Sequence, residues 1–357
     1  MARVWIAASF TALVMLVVGG TARAQNAYIT NEGSASVSVI ATATNTVTAT
    51  IEVGGDPEGE AVTPDGTRVY VANLLSNTVA VIATATNTVI ATIPVGNTPI
   101  GVAVSPDGSK VYVANSGGTT VSVIATATNT VTATVTVGFD PVGVAVSPDG
   151  SKVYVTSQGA NNVSVIATAT DTVSATIPVG FSPFGVAVTP DGSKVYVANE
   201  DPDSVSVIAT ATNTVITTVN VGRLPFGLAV TPDGSKVYVA NNGAGTVSVI
   251  STATDTVLGP AITVGSSPVG VGVTLDGSKV YVANEGSNSV SVIATATDTV
   301  LGAPIAVGGS PDAVGVFIGP APPLPPPPAP TLGTWGLFLS ALLLGGVGYF
   351  VIRNRVA

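Results

Sequence analysis

The sequence predicts an all-β protein, a seven-bladed β-propeller of four-stranded blades followed by a C-terminal transmembrane helix. Three observations support this: a Val-, Thr-, Ala- and Gly-rich composition, a tyrosine about every 42 residues, and a segment with a Pro-Asp-Gly turn that recurs near that spacing. Such a period is typical of propeller blades and of helical arrays. The many β-branched residues, with turn residues every few positions, favour the propeller. The repeated tyrosines are Tyr28, Tyr70, Tyr112, Tyr154, Tyr196, Tyr238 and Tyr281.

One repeat divides into four short strands. Strands A (Gly101–Ser105) and B (Lys110–Ala114) flank the Pro-Asp-Gly turn, which is the pattern of a hairpin. Strands C (Thr120–Thr126) and D (Thr130–Val137) follow. We expect the repeated Asp and Lys of the A-to-B turn to stabilise that turn, and the Val and Tyr side chains to fill the space between blades.

The strand count predicts how the ring closes. B strands start with Tyr28 and end with Tyr281, whereas A strands start near Pro57 and end at 311–316. The chain therefore begins without an A strand and ends with an A strand that lacks a partner. We expect one blade to take three strands from the N-terminal end and one from the C-terminal end, a 3+1 closure that leaves no open seam. Insertions near Pro260 and Pro304 predict bulges in two outer D strands.

The two ends of the chain predict export. Residues 1–24 combine one Arg, an apolar run of about 15 residues and an Ala-Arg-Ala exit, which is typical of a secretory signal peptide. An N-terminal membrane anchor is the alternative, but the run is short for one. The propeller would occupy 25–319.

Beyond the propeller, residues 320–334 predict a proline-rich linker in the polyproline II conformation. Residues 335–352 are uncharged and mostly apolar, long enough to span a bilayer as a helix. The basic tail 353–357 would then be cytoplasmic.

The order of motifs at this end resembles the IPTL-CTERM sorting tail of Gram-negative bacteria. The matching residues are Pro330, Thr331, Leu332, Trp335, Gly336, Arg353 and Arg355, while Ala329 replaces the usual Ile. The resemblance implies a transient inner-membrane anchor and a membrane sorting enzyme that processes the tail. It also implies a final location at the cell surface, the outer membrane or the extracellular matrix. A permanent inner-membrane anchor is the alternative.

The repeat itself resembles the YVTN family of β-propeller proteins. The signature tetrapeptide appears as Tyr-Ile-Thr-Asn at 28–31 and Tyr-Val-Ala-Asn at 112–115, and the Pro-Asp-Gly-Ser-Lys turn also matches. The resemblance covers roughly 27–318. It implies a secreted or surface protein related to the lactonase-like propellers.

The composition excludes several functions. The chain has no His and no Cys, which removes Ser-His-Asp triads, cysteine nucleophiles and the usual zinc sites. Only 9% of residues are charged and the net charge is −9. Nucleic acid is not an expected partner, because phosphate binding needs clustered Lys and Arg.

The copies differ mainly in the B-to-C and D-to-A loops, which share one rim of a propeller. We call this the variable rim, and the opposite rim, with the A-to-B and C-to-D turns, the turn rim. Variation on a rigid scaffold is what a binding face would show. Relaxed constraint on surface loops, with acids aiding solubility, is the alternative. The predicted binding residues are Glu32, Phe139, Asp140, Phe181, Phe184, Glu200, Asp201, Asp203, Arg223, Phe226 and Glu285.

Glu60 breaks the repeat within strand A, where other copies have Val or Leu. Strand A is the innermost strand of a blade, so this carboxylate should lie near the central channel and meet water, a base or a cation. With Asp56, Glu58 and Asp312 on adjoining loops, the pattern predicts a weak Ca²⁺ site. A solvated acid without metal is the alternative, and no other cofactor is predicted.

Two functions follow from these observations. The first is a non-enzymatic surface module that binds a protein, a glycan or a matrix component through the variable rim, or that assembles into a surface layer. The second is a lactonase-like hydrolase that uses a metal-activated water at the channel mouth. In either case the last A strand delivers the chain to the turn rim, so the variable rim should face away from the membrane while the protein is anchored.

Overall fold

Seven antiparallel sheets surround a central channel in the computed structural model, which describes residues 25–320. Blade 1 holds β1 (Gln25–Asn31), β2 (Ser36–Ala41), β3 (Thr46–Glu52) and β30 (Ile318–Pro320). Blade 2 holds β4 (Pro57–Val62), β5 (Arg68–Asn73), β6 (Thr78–Ala83) and β7 (Thr88–Pro94). Blade 3 holds β8 (Pro99–Val104), β9 (Lys110–Asn115), β10 (Thr120–Ala125) and β11 (Thr130–Thr136). Blade 4 holds β12 (Pro141–Val146), β13 (Lys152–Ser157), β14 (Asn162–Ala167) and β15 (Thr172–Pro178).

Blade 5 holds β16 (Phe181–Val188), β17 (Lys194–Asp201), β18 (Ser204–Ala209) and β19 (Thr214–Asn220). Blade 6 holds β20 (Pro225–Val230), β21 (Lys236–Asn241), β22 (Thr246–Ser251), β23 (Thr256–Val257) and β24 (Ile262–Thr263). Blade 7 holds β25 (Pro268–Val273), β26 (Lys279–Asn284), β27 (Ser289–Ala294), β28 (Thr299–Val300) and β29 (Ile305–Ala306). Single 3₁₀ turns occupy Glu32–Ser34, Gln158–Ala160, Asn242–Ala244 and Glu285–Ser287.

The predicted seven blades and their strand order are confirmed. In blade 3 the sheet runs β8-β9-β10-β11, and each strand begins or ends within two residues of its predicted bounds. Strands C and D share one register shift, a bulge, between Val123 and Ile124 in this blade. The bulge lets the outer strand curve with the blade.

The hydrophobic core lies between blades rather than within one sheet. Tyr112 of blade 3 is fully buried and packs with Val121 of its own sheet and with Val153 and Val155 of blade 4. Because both faces of a blade contact neighbours, both faces must be apolar. This explains why the strands do not alternate between apolar and polar residues.

We expected the repeated Asp and Lys of the A-to-B turn to stabilise that turn, but the two side chains have different roles. Asp107 accepts hydrogen bonds from the Ser105 and Ser109 hydroxyl groups and from the Ser109 backbone N–H. These bonds lower the pKa of Asp107 to about 2. Lys110 instead reaches the C-to-D turn of the next blade, where its Nζ lies 2.9 Å from the Asp171 carboxylate and 2.9 Å from the Thr168 carbonyl oxygen. Asp107 stabilises the turn, and Lys110 joins two blades.

This blade-to-blade contact, the latch, recurs around the ring. Ion pairs join Lys194 to Asp255 at 2.7 Å and Lys236 to Asp298 at 2.8 Å. Between blades 7 and 1, Lys279 donates to Asn45 at 3.1 Å. The junction of blades 4 and 5 has a weaker contact, since Lys152 reaches only the Thr210 carbonyl oxygen, at 3.3 Å. The C-to-D turn acids Asp171, Asp255 and Asp298 therefore hold neighbouring blades together.

The junction of blades 1 and 2 differs from the others. Asn26 stands opposite Ala41, at the register position that Lys110 holds opposite Ala125 in blade 3. The buried Oδ1 atom of Asn87, the Asx residue of blade 2, has no hydrogen-bond partner among the described residues. This junction lacks a lysine latch.

The asparagine that ends the repeated Tyr-Val-Ala-Asn segment has a structural role. Asn115 is buried, accepts a hydrogen bond from the Gly96 backbone N–H at 3.1 Å, and donates to the Ser122 hydroxyl at 3.0 Å. It therefore ties the incoming D-to-A loop to strand C. A Cβ at Gly96 would lie within 2.5 Å of the Asn115 amide carbon, so only glycine fits opposite this asparagine.

The two predicted insertions interrupt the outer strand of their blades. In blade 6, β23 and β24 are separate and both pair with β22. The Leu258 backbone N–H still donates to the Val249 carbonyl oxygen at 2.7 Å, and residues 259–261 then leave the ladder. Blade 7 is divided in the same way between β28 and β29. The structure thus shows split strands where we expected continuous bulged ones.

The last strand differs from the prediction in its position. Strand β30 pairs with β1 in antiparallel register, Ala27 opposite Ile318, and the sheet order is β3-β2-β1-β30. Within the predicted 311–316 segment, however, only Pro311 forms an antiparallel bridge to β1, at Asn31. Residues 313–316 leave that sheet and enter the central channel, where they bridge to blades 2 and 3.

Four predicted features lie outside the described residues: the signal peptide 1–24, the linker and sorting motif from 321 to 334, the apolar span 335–352 and the basic tail 353–357. Within 25–320, no helix is long and apolar enough to cross a membrane. All the strands above and the hydrophobic clusters between them belong to 25–320, so this segment has a complete core of its own.

Candidate functional site

The central channel is narrowed by a ring of glycines, of which six lie in A strands and one, Gly315, lies in the segment 313–316. A side chain at Gly101 would collide with the Val142 carbonyl oxygen of blade 4, and one at Gly143 with the Phe184 carbonyl oxygen of blade 5. Glycine is needed here because the innermost strands approach one another backbone to backbone. The ring consists of Gly59, Gly101, Gly143, Gly185, Gly227, Gly270 and Gly315.

Residues 313–316 enter this channel instead of following the sheet of blade 1. Val316 forms a parallel bridge with Ala61 of blade 2, and Gly315 forms one with Val102 of blade 3. The Val62 backbone N–H donates to the Val316 carbonyl oxygen at 3.1 Å. The segment therefore lies inside the ring of A strands, beside Glu60.

Glu60 is fully buried, as a residue of an innermost strand, and its partner is a hydroxyl group. The Thr30 hydroxyl of blade 1 donates to Glu60 Oε2 at 3.1 Å, whereas Oε1 has no partner among the described residues. Burial raises the pKa of Glu60 well above its usual value, and the nearby Glu58 charge adds to this effect. Thr30 also accepts from the Ala313 backbone N–H at 2.8 Å, so it links Glu60 to the inserted segment.

Glu58 and Asp312 form a carboxyl pair next to Glu60. Burial raises the pKa of both carboxyl groups, and the nearby Asp312 charge raises that of Glu58 further. Asp312 is 7% exposed. Charges from three further acids on the same rim, Glu32, Asp56 and Glu285, contribute to these raised pKa values. We call these six residues the acid cluster.

The structure thus brings together all four residues of the predicted Ca²⁺ site. Even so, within residues 25–320 no group of three or more acidic side chains has the arrangement that holds a metal ion. The Ca²⁺ site remains a prediction.

The variable rim of blades 4 to 6 carries the predicted phenylalanines. Phe139 and Phe181 are 59% and 62% exposed, the largest exposures of any aromatic side chain among the described residues. Phe184 and Phe226, deeper at the same end of the channel, have ring centroids 4.5 Å apart. Exposed rings of this size at two equivalent positions of adjacent blades are unusual on a soluble surface.

Acidic and amide groups surround these rings. Gln158 donates to the Glu200 carboxylate at 2.6 Å and thereby joins the B-to-C loops of blades 4 and 5. Burial, together with the nearby Asp140 charge, raises the pKa of Glu200. Asp201 faces Phe181 across the ladder of blade 5. We call Phe139, Asp140, Gln158, Phe181, Glu200 and Asp201 the aromatic sector.

Two other predicted rim residues do not join the sector's polar contacts. Asp203 accepts a hydrogen bond from the Leu224 backbone N–H at 2.8 Å, so its carboxylate stabilises the loop between blades 5 and 6. Arg223 precedes β20 in that loop, and its backbone carbonyl accepts from the Gly243 N–H at 3.1 Å.

The family model described as "Lactonase, 7-bladed beta-propeller" matches residues 21–139, 126–220 and 209–310. These matches cover most of the chain. The chain belongs to this lactonase family of seven-bladed propellers. No curated protein matches the chain.

Solved structures support the same architecture. A chain of hydrazine synthase from Kuenenia stuttgartiensis is 28% identical over 76% of this chain and 92% of its own, with a TM-score of 0.69. A functionally unknown protein from Desulfotomaculum acetoxidans is 21% identical over 81% of this chain and 99% of its own, with a TM-score of 0.70. A candidate 6-phosphogluconolactonase from Bacteroides fragilis is 16% identical, covers 84% and 98%, and has a TM-score of 0.72. The last two likenesses concern the fold alone.

Sequence reasoning missed several residues of this lactonase-family site. Thr30 belongs to the Tyr-Ile-Thr-Asn signature, where most copies have Ala, and that difference was the available signal. Gln158 and Glu200 occupy equivalent loop positions, which could have suggested a contact between adjacent blades. The glycine ring was visible as a constant glycine in every A strand, although the inserted segment was not.

Proposed function

We propose that this lactonase-family propeller is an exported, non-enzymatic binding module, and that the aromatic sector is its binding face. The observation that carries the proposal is the exposure of Phe139 and Phe181, at 59% and 62%, on loops anchored in a rigid ring. Exposed aromatic residues with a polar surround are typical of the centre of a protein interface.

The surrounding charges favour a basic partner. Asp140, Glu200 and Asp201 flank the rings, and the net charge of the chain is −9. A protein that offers an apolar pocket edged by Lys or Arg would complement both features. A glycan or another matrix component is the alternative class of partner, and treatment with glycosidase or protease distinguishes the two.

Export and sorting are part of the proposal. The N-terminal signal and the IPTL-CTERM-like tail would deliver the chain through the inner membrane to the cell surface. We also propose that pairing of β1 with β30 closes the ring as a 3+1 blade. This is supported by the sheet order β3-β2-β1-β30. Gly66 in the turn of blade 2 lies against Pro320, so the described chain ends at the turn rim. An anchored protein would then present the aromatic sector outward.

A capture experiment tests the binding face. The full chain and its Phe139→Ser/Phe181→Ser variant are immobilised and exposed to solubilised envelope and culture fluid of the producing cells. Val131→Ser/Val173→Ser is the matched control, because both valines are 37% exposed on the outer strands of blades 3 and 4. We expect one partner retained by the wild type and the control but lost by more than about tenfold from the phenylalanine variant. Equal capture by all three, or sensitivity of capture to glycosidase rather than protease, would contradict a protein-binding sector.

A second candidate is a hydrolase, favoured by family membership and by the Glu58–Asp312 pair. Two carboxyl groups that share one proton can act together as general acid and general base. Hydrolysis of glucono-δ-lactone is the assay, with and without Ca²⁺, comparing the wild type with Glu58→Gln and with Glu52→Gln on an exposed outer strand. Turnover that only Glu58→Gln abolishes would support catalysis at the pair. Turnover that also requires Ca²⁺ would support the metal-dependent form.

A further inference from the structure

A cavity of about 560 Å³ occupies the central channel between the glycine ring and the turn rim. Its walls are A strands, with Val144, Val186 and Leu228 among the lining residues, and the prolines of the turns form its mouth. None of the acid cluster and none of the aromatic sector lines it. The cavity therefore opens on the rim opposite the proposed binding face.

The lining of this cavity is mostly apolar. None of the described residues that form it carries a charge, and Thr63 is the single hydroxyl-bearing side chain among them. A volume of this size falls within the usual range for small-molecule sites of about 300–1,000 Å³. Because the walls offer almost no side-chain hydrogen bonds, a polar or charged occupant would lose its hydration without compensation.

Two large apolar side chains stand exposed in this cavity. Val316 is 63% exposed although it belongs to the segment inserted into the channel. Leu275 is 52% exposed at the mouth, where the other five Asp-Gly turns have proline. The backbone N–H of Leu275 donates to the Gln25 side chain at 2.8 Å, which fixes this turn. Among the described residues, no side chain covers the apolar surface of Val316 and Leu275 in this cavity.

The inserted segment gives the cavity its inner end. Val316 and Gly315 bridge to Ala61 and Val102, across blades 2 and 3, where the glycine ring already narrows the channel. Phe317 packs against Gly272 on the opposite side of the channel, in blade 7.

We infer that the central cavity is a binding site for an uncharged molecule with an aliphatic body, which enters from the turn rim. The inference does not depend on the proposed partner of the variable rim. Binding would cover Val316 and Leu275 and exclude water from the valine walls.

The absence of cysteine from the sequence makes the test specific. A Leu275→Cys variant of residues 25–320 carries one thiol at the cavity mouth. Leu75→Cys, at a leucine that is 70% exposed in the B-to-C loop of blade 2, is the matched control on the variable rim. The labelling rate of each thiol by a water-soluble maleimide is measured with and without 1-decanol. At a decanol concentration about ten times its dissociation constant, we expect labelling at position 275 to slow about tenfold and labelling at position 75 to stay unchanged.

A second variant tests the depth of the site. Val316→Lys, added to Leu275→Cys, would place an ammonium group in the cavity and abolish protection by decanol. Val131→Lys on the outer surface of blade 3 should leave protection intact. Labelling at position 275 that decanol never slows would overturn the inference. The inference would also be overturned if the thiol at position 275 were protected from labelling in the full chain on intact cells but labelled freely in 25–320. The occupant of the cavity would then be the chain's own C-terminal segment.

Discussion

Single residues that break the repeat carry most of the chemistry. Glu60 stands where other copies have Val or Leu, and it is buried against Thr30 with one oxygen unpartnered among the described residues. We expect Glu60→Val to raise the unfolding free energy at about pH 8 by about 1–3 kcal/mol, because it removes a buried carboxyl group without a full set of partners. Chemical denaturation of the wild type and the variant measures this.

The pH dependence has a defined sign. Burial raises the pKa of Glu60, so the folded protein keeps a proton that the unfolded chain loses above its usual pKa near 4.5. The stability due to this group is complete below that value and is lost as the pH rises toward the folded pKa. Wild-type stability should therefore fall more steeply from about pH 5 to about pH 8 than that of Glu60→Val. A role for buried Glu60 would be refuted if the unfolding free energy of the variant fell more steeply with pH than that of the wild type. It would also be refuted if replacing the exposed Glu52 changed the pH dependence in the same way.

At the scale of elements, the latches join one blade to the next. Lys194 lies 2.7 Å from Asp255 and donates to the Thr252 carbonyl oxygen, whereas Lys152 has only a 3.3 Å contact with a carbonyl. We expect Lys194→Met to cost about 1–3 kcal/mol because it leaves a mostly buried carboxylate unpaired. Lys152→Met should cost less than about 1 kcal/mol. Thermal denaturation of the two variants at low and at high salt measures these losses of stability. Equal losses for Lys194→Met and Lys152→Met would contradict this ranking.

The missing latch offers the reverse experiment. Asn26 holds the lysine position at the junction of blades 1 and 2, and the Asn87 side-chain oxygen there is buried without a partner among the described residues. We expect Asn26→Lys to stabilise the protein by about 0.5–1 kcal/mol through a new contact to Asn87. The double variant Asn26→Lys/Asn87→Ala serves as control and should lose the gain; a gain that persists would place its origin elsewhere.

The fold was predictable from the sequence to a greater extent than the contacts were. The strands and blades repeat, so each copy of the repeat independently indicated the same four-stranded unit. The Lys110–Asp171 pair was missed because Asp107 lies three positions away in the chain, whereas the true partner lies 61 positions away in the next blade. The sequence placed Asp56, Glu58 and Asp312 on loops near Glu60, whereas Glu32 and Glu285 were expected only on the variable rim. The bond between Glu60 and Thr30, however, depends on how the last segment enters the channel, which no repeat specifies.

At the scale of the whole molecule, we propose that closure of the ring depends on the two ends of 25–320. β1 and β30 pair through Gln25–Ala27 and Ile318–Pro320, supplemented by the Asn31–Pro311 bridge and by a hydrogen bond from the Tyr28 backbone N–H to the Phe317 carbonyl oxygen. We expect a chain that ends at Ser310 to unfold at a markedly lower temperature, because it exposes both Tyr28 and the edge of β1. A chain that ends at Pro320 should melt like the full propeller. Similar melting of both would show that the ring does not need the last segment.

The two rims of the ring differ: the variable rim carries the aromatic sector, and the turn rim carries the latches and the cavity mouth. This division supports the central claim that the partner binds where the copies disagree. It also explains why the faithful repeat residues, such as Asp107 and Lys110, have structural roles.

The most direct test places one photo-crosslinker on each rim of blade 5 in the full chain on intact cells. Asp201→Cys lies beside Phe181, and Ser193→Cys lies in the exposed turn of the opposite rim. Each single thiol carries a benzophenone maleimide. We predict a crosslinked partner from position 201 that disappears in the Phe139→Ser/Phe181→Ser background, and none from position 193. A partner crosslinked from position 193 alone, or from position 201 regardless of the two phenylalanines, would contradict the claim.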